Sequence, residues 1–176
     1  MKAKDLGYIA VSAALLTVSA WLAVPIGTIP VTLQTATLFL MAGLLGWKRA
    51  VLATLAYMLL GGIGIPVFAG FTGGFSVLLS PTGGYIVGFL AISLIVGLYS
   101  EKKKSDKPWG LAIAMFCGLL VCYGVGTLWF MVISGAEAGF FGAVVLCVLP
   151  YLPFDVLKLF LSLFLIQKLK KIIKMT

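Results

Sequence analysis

Asp155 and Lys158 are the residues of this sequence best suited to hold a polar ligand. They lie three apart in Pro150-Tyr151-Leu152-Pro153-Phe154-Asp155-Val156-Leu157-Lys158, which opens the last long segment of a chain whose apolar segments are otherwise almost free of charge. Pro153 suits the first position of a helix, where its missing N–H would be unpaired anyway. Asp155 then falls in the first turn, where the helix dipole favours an anion, and Lys158 shares its face one turn on. An ionisable side chain at membrane depth costs at least about 2.5–3.5 kcal/mol on insertion scales, so such a pair reads by default as functional. The carboxylate can accept N–H bonds, and the ammonium can bind a carboxylate or carbonyl oxygen. The alternative role is a self-neutralising ion pair that only holds helices together.

Other polar groups collect near breaks in the apolar pattern. Thr32, Gln34 and Thr35 stand at the start of an apolar segment; Gln34 offers two donors and an acceptor, and Thr32 has the alternative of a helix cap. Residues 61–88 contain nine glycines, too many for one continuous helix. Within them, Gly73 and Gly74 would let backbone approach a ligand closely, in a loop from Gly70 to Gly74 that includes Thr72. For Gly84 and Gly88, spaced as in helix contacts, a packing role is the better reading. Trp21, Phe68, Phe71, Phe75, Tyr85 and Tyr151 suit either an apolar pocket or an interfacial aromatic belt. No catalytic set is visible: there is no histidine, no Cys nucleophile beside a base, and no pair of carboxylates, which argues against hydrolysis and acyl transfer. Without histidine, a zinc or haem site is not expected. No phosphate-binding loop of the P-loop type is present either, so uphill movement of a solute would need energy from another subunit.

The elements that must position these groups are membrane helices. Of 176 residues 62% are hydrophobic and only 10% charged, against roughly 25% charged in a soluble domain. At about 20 residues per span the length suits an all-α integral membrane protein of one domain, residues 1–176. The expected spans are 6–24, 31–46, 50–65, 83–100, 109–133 and 153–169, with a connector over 134–152 whose apolar piece, 139–149, is too short to cross comfortably. The run 6–24, behind Lys2 and Lys4, is long for a signal-peptide core and lacks a convincing cleavage site, so it reads as a retained first span. Cys117, Cys122 and Cys147 have no C-x-x-C spacing and sit in apolar runs, which predicts buried, unbridged thiols.

Charge supplies the orientation. With six spans, both termini and the loops at 46–49 and 101–108 share one side. That side gathers twelve of the thirteen lysines and arginines, all but Lys158. Basic residues concentrate in cytoplasmic loops, so the net charge of +8 reads as membrane topology and not as affinity for nucleic acid. The irregular stretches 25–34, 66–82 and 134–153 then fall outside, where non-helical backbone needs protein or a polar cavity to satisfy it. Together these features predict an outward-facing pocket for a small, largely apolar molecule carrying a few polar groups.

Four motifs in order, Pro30-Val31-Thr32-Leu33-Gln34-Thr35, Gly64-Ile65-Pro66-Val67-Phe68-Ala69-Gly70, Ser80-Pro81-Thr82-Gly83-Gly84-Tyr85-Ile86-Val87-Gly88-Phe89 and Leu149 to Lys158, resemble the BioY family, the biotin-binding S components of energy-coupling factor (ECF) transporters. The resemblance covers nearly the whole chain and is specific in combination. It implies six transmembrane helices with irregular outer loops in a bacterial cell membrane. It also implies capture of biotin as the transported ligand, and partnership with a transmembrane coupling subunit and two cytoplasmic ATPases, which alone would handle ATP. No cofactor and no enzymatic step are implied. The family's D-x-x-K pair falls on Asp155 and Lys158, its L-Q on Leu33 and Gln34, and its Gly-rich third loop on Gly70 to Gly74. With Phe68 and Tyr85 taken as pocket wall, the expected ligand set is Asp155, Lys158, Gln34, Gly73, Gly74, Thr72, Tyr85 and Phe68. The family's small-residue docking pattern on the first helix falls on Ala10 and Ala14. Phe154 departs from a usual glycine and Thr72 from a frequent Asn or Gly. An S component for another vitamin, a small membrane enzyme using Asp155, and a structural subunit are the rival readings.

Overall fold

The computed structural model describes residues 3–25, 29–102, 108–134 and 139–175, and these are mostly helical. Among them are eight helices, α1 (Ala3–Trp21), α2 (Gln34–Leu45), α3 (Trp47–Gly62), α4 (Phe75–Leu78), α5 (Gly83–Lys102), α6 (Pro108–Ser134), α7 (Gly139–Cys147) and α8 (Leu152–Met175). Lys2, Lys103, Lys104, Lys107 and Glu137 lie outside the described residues.

The breaks fall where proline and glycine place them, with four corrections to the expected boundaries. The fold is not helical throughout: β1 (Ala23–Val24) pairs antiparallel with β2 (Val31–Thr32), so the chain doubles back near Pro25 and Pro30 as a small hairpin. This hairpin takes the first residues of the expected second span, and α2 begins only at Gln34. The turn expected over 46–49 contracts to Gly46 alone, at φ 81°, and Trp47, Lys48 and Arg49 already belong to α3. At the other end α8 continues past 169 to Met175, since the lysine-rich tail contains no Gly or Pro to stop it.

α2 is the post around which the bundle is built. None of its residues is exposed, and α1, α3, α5 and α8 all pack on it, with Leu38, Phe39 and Ala42 fully buried. Beside it, α5 and α6 meet through glycines. A Cβ on Gly84 would strike Trp129, and one on Gly88 would strike Cys122, so these two glycines serve close helix approach. On the opposite flank α1 is tied to α3 by an Arg49 Nη2–Asp5 Oδ1 ion pair of 2.7 Å.

The outer surface of this bundle is apolar: Ile113, Leu128 and Val132 of α6 and Leu157, Phe160 and Phe164 of α8 are all exposed, a surface suited to lipid. By length and composition α1, α5 and α6 can each cross a membrane. A fourth crossing is available if α7 and α8, bent by 54° at the 148–151 break, count as one.

Candidate functional site

A cavity of about 270 Å³ opens at the end of the bundle where α2 and α8 begin. That is close to the lower end of the roughly 300–1,000 Å³ usual for small-molecule sites. Its wall draws on the hairpin, α2, α3, the loop that follows α3, α5, α6 and the α7–α8 joint. Most of the lining is apolar or aromatic, including Phe68, Tyr85, Phe89 and Tyr151, and the polar groups are concentrated in two clusters.

The first cluster is centred on Asp155. Its helix position follows from local sequence: Leu152 and Pro153 open α8, and Asp155 lies in the first turn. Lys158 Nζ donates to Asp155 Oδ1 at 2.8 Å. Thr35 of α2 donates to the same oxygen at 2.8 Å, and Tyr123 of α6 donates to Oδ2 at 2.5 Å. Asp155 and Lys158 are only 5% and 8% exposed, so charge unpaired here would be costly. Three donors from three helices meet that cost at the carboxylate. The ammonium has three N–H donors and spends one on Asp155, which leaves it able to bind an oxygen acceptor.

The second cluster is centred on Gln34. Its Nε2 donates to the Tyr57 hydroxyl at 2.7 Å, and its Oε1 accepts from Thr32 Oγ1 at 3.0 Å. Thr32 thus fixes the amide of Gln34, and its hydroxyl also accepts the Gln34 backbone N–H at 3.4 Å. This is a cap-like bond made from one residue ahead of the capping position, Leu33, which has no side-chain cap of its own. Gln34 retains one N–H, and Tyr57 retains its own hydroxyl proton. Both clusters thus offer chiefly donors toward a ligand.

The loop after α3 covers the cavity. Phe68 pairs with Thr72 across a short bridge, and its buried ring meets Tyr57 edge-on at 5.4 Å. Thr72 lines the cavity, with its hydroxyl donating to Ala69 O at 2.9 Å. The loop is fastened to α1 by Trp21, whose indole N–H donates to Pro66 O at 2.9 Å and whose ring stacks on Phe71 at 4.9 Å. A second tie runs from the Ile29 N–H to the Tyr151 hydroxyl, 3.0 Å, between the hairpin and the α7–α8 joint.

Six of the eight expected ligand residues, Asp155, Lys158, Gln34, Thr72, Tyr85 and Phe68, therefore share one cavity. Gly73 and Gly74 do not line it. A Cβ on Gly73 would strike the backbone of Gly64 and Ile65, and Gly74 holds φ 105°; backbone crowding inside the loop accounts for Gly73 and the left-handed backbone for Gly74. Phe71 and Phe75 do not line the cavity and are exposed, as are Ala10 and Ala14 on α1. Cys122 and Cys147 are buried, but Cys117 is exposed, a correction to the burial expected of all three. Sequence reading missed Tyr57 and Tyr123. The available signal was a phenol hydroxyl within an apolar helix, which usually needs a hydrogen-bond partner once buried.

With this geometry in place, the comparisons with known proteins are direct. The family model of the BioY family matches residues 1–175. A biotin transporter BioY from Thermotoga maritima is 41% identical over 160 residues, covering 90% of this chain and 91% of the relative. A probable biotin transporter BioY from Pyrococcus horikoshii is 38% identical over 170 residues, 97% of this chain and 98% of the relative. The crystal structure of the S-component for biotin from an ECF-type ABC transporter superposes with a TM-score of 0.88 at 27% identity, covering 97% of this chain and 95% of that one. Matched along its whole length in sequence and in backbone course, this chain belongs to the BioY family.

Proposed function

We propose that this protein is the biotin-capturing S component of an ECF-type transporter. The observation that carries the reading is the pairing of Asp155 and Lys158 with Gln34 in one largely apolar cavity, in a chain whose relatives are biotin transporters. The chemistry suits the ligand: an apolar ring system and aliphatic chain against aromatic walls, with its oxygens near the Lys158 and Gln34 donors. Lys158, Gln34, Asp155, Thr72, Tyr85 and Phe68 are its contact residues in this reading.

The chain is one domain crossing the bacterial plasma membrane six times, by α1, α2, α3, α5, α6 and α8, with α7 as a lateral piece. Both termini are cytoplasmic and the cavity faces outward; the distribution of basic residues supports this arrangement. The exposed Ala10–Ala14 face of α1 docks a transmembrane coupling subunit, and two ATPases bound to that subunit supply the energy. No catalytic step is assigned to this chain.

Biotin titrated into the purified protein in detergent tests the reading. Specific binding raises stability by RT ln(1 + [L]/Kd), about 2.7 kcal/mol at a hundredfold excess over Kd, which is read as an upward shift in thermal melting. Folded protein whose melting and ligand titration are indifferent to biotin would overturn it.

A further inference from the structure

We propose that Tyr123 is a positioning residue for the ligand, acting on affinity through Asp155 and not by donating to the ligand itself. The proposal rests on the reading that the cavity takes biotin. Its ground is the division of donors around one carboxylate. Oδ1 accepts from both Lys158 Nζ and Thr35 Oγ1, at 2.8 Å each, whereas Tyr123 alone, among the described residues, serves Oδ2, at 2.5 Å. These donors stand on α8, α2 and α6, so the carboxylate is gripped from three directions.

A carboxylate has about four lone-pair sites. Three are filled from within the protein, and the orientation of the remaining one follows from the other three. The terminal torsion of an aspartate is broad and poorly restrained on its own, and the Tyr123 hydroxyl restrains it. Without that hydroxyl, Oδ2 has no protein donor and the carboxylate can turn, taking Lys158 with it because the ammonium is bonded to the same group. The phenol has one O–H, and it is committed to Asp155. It therefore has no proton left to donate to a ligand, which separates positioning from direct donation. Thr35 plays the matching part at Oδ1, from the turn of α2 that also carries Gln34.

The test is a double-mutant cycle on the full-length protein, with biotin affinity as the readout. Tyr123→Phe keeps the ring on the cavity wall and removes only the hydroxyl. In the wild-type background it is expected to weaken biotin binding about tenfold, the scale of a hydrogen bond to a charged group. In an Asp155→Asn background the same change is expected to alter affinity less than about twofold, because coupled residues are not additive. Thr35→Val should reproduce the loss and Thr35→Ser should restore affinity; the same cycle run with Thr35→Val decides the matter if Tyr123→Phe does not fold. Wild-type affinity in Tyr123→Phe would overturn the proposal, as would an equal loss in both backgrounds, which would mean that the hydroxyl meets the ligand directly. Absence of biotin binding by the wild-type protein would instead remove the functional reading, and this proposal with it.

Discussion

Asp155 and Lys158 are unequal partners, and the difference has a measurable consequence. Asp155 keeps the Thr35 and Tyr123 hydroxyls if Lys158 is removed, whereas Lys158 has no other hydrogen-bond partner among the described residues if Asp155 is neutralised. Each of Asp155→Asn and Lys158→Met is expected to weaken biotin binding by about 2 kcal/mol or more, roughly 30-fold. Asp155→Asn is also expected to lower the ligand-free melting temperature more than Lys158→Met does. Titration and melting of the same purified variants check both statements; unchanged affinity in folded variants would take the pair out of the site. At this scale the sequence was legible wherever a polar residue stood out against an apolar background, as Asp155, Lys158 and Gln34 do. Tyr57 and Tyr123 did not stand out, because a tyrosine in an apolar helix reads equally as ring or as hydroxyl. Gly73 and Gly74 stand outside the cavity lining, and the sequence did not show why they are glycines. Neither a close backbone neighbour, as at Gly73, nor a positive φ, as at Gly74, can be told from the approach of a ligand by residue type alone.

Among the elements, α1 presents two faces with different tasks. Ser12, Ala13 and Leu16 are buried against the bundle, while Ala10 and Ala14 are exposed on the other side. Small residues allow a second helix to approach closely in a membrane. Ala10→Leu together with Ala14→Leu is therefore expected to reduce biotin uptake by the assembled transporter at least about tenfold, with biotin affinity of the isolated protein unchanged. Uptake assays in cells carrying the whole complex, beside titration of the purified variant, check this; uptake that survives both replacements would remove α1 as the docking face. Helix positions were legible from proline, glycine and charge, which mark the ends of α5 and α6 to within two residues. The hairpin and the late start of α2 were not: two paired residues on each strand carry no periodicity, and Val31 and Thr32 suit a strand as well as a helix.

For the molecule as a whole, the testable statement is its orientation. Thr72 is exposed on the loop that covers the cavity, and the cytoplasmic side is expected to hold the basic loop around residue 103. With the exposed Cys117 replaced by Ser, a membrane-impermeant thiol reagent applied to intact cells is expected to label Thr72→Cys and not Lys103→Cys. Labelling of 103 alone would invert the molecule and turn the cavity inward. The general architecture was readable from composition and from four motifs in order. The number of crossings was harder to read, because α2, with twelve residues, is about 18 Å long against a hydrocarbon core of about 30 Å. Length matching constrains helices that face lipid, and none of the residues of α2 is exposed.

In the orientation proposed above, the shortness of α2 also sets how far a bound molecule travels into the membrane's electric field. If Gly46 is level with the inner boundary in that orientation, Gln34 lies about 12 Å beneath the outer one, about two-fifths of the hydrocarbon thickness. An anion carried to that depth from outside moves against an inside-negative voltage, at up to about 0.9 kcal/mol per 100 mV where the field falls evenly. Capture of biotin in its carboxylate form is accordingly expected to weaken up to about fivefold when proteoliposomes are polarised to 100 mV inside-negative, and to recover when the voltage is collapsed. A neutral biotin amide should show no such dependence, so equilibrium binding of the two ligands across imposed potassium diffusion potentials measures the depth of the site.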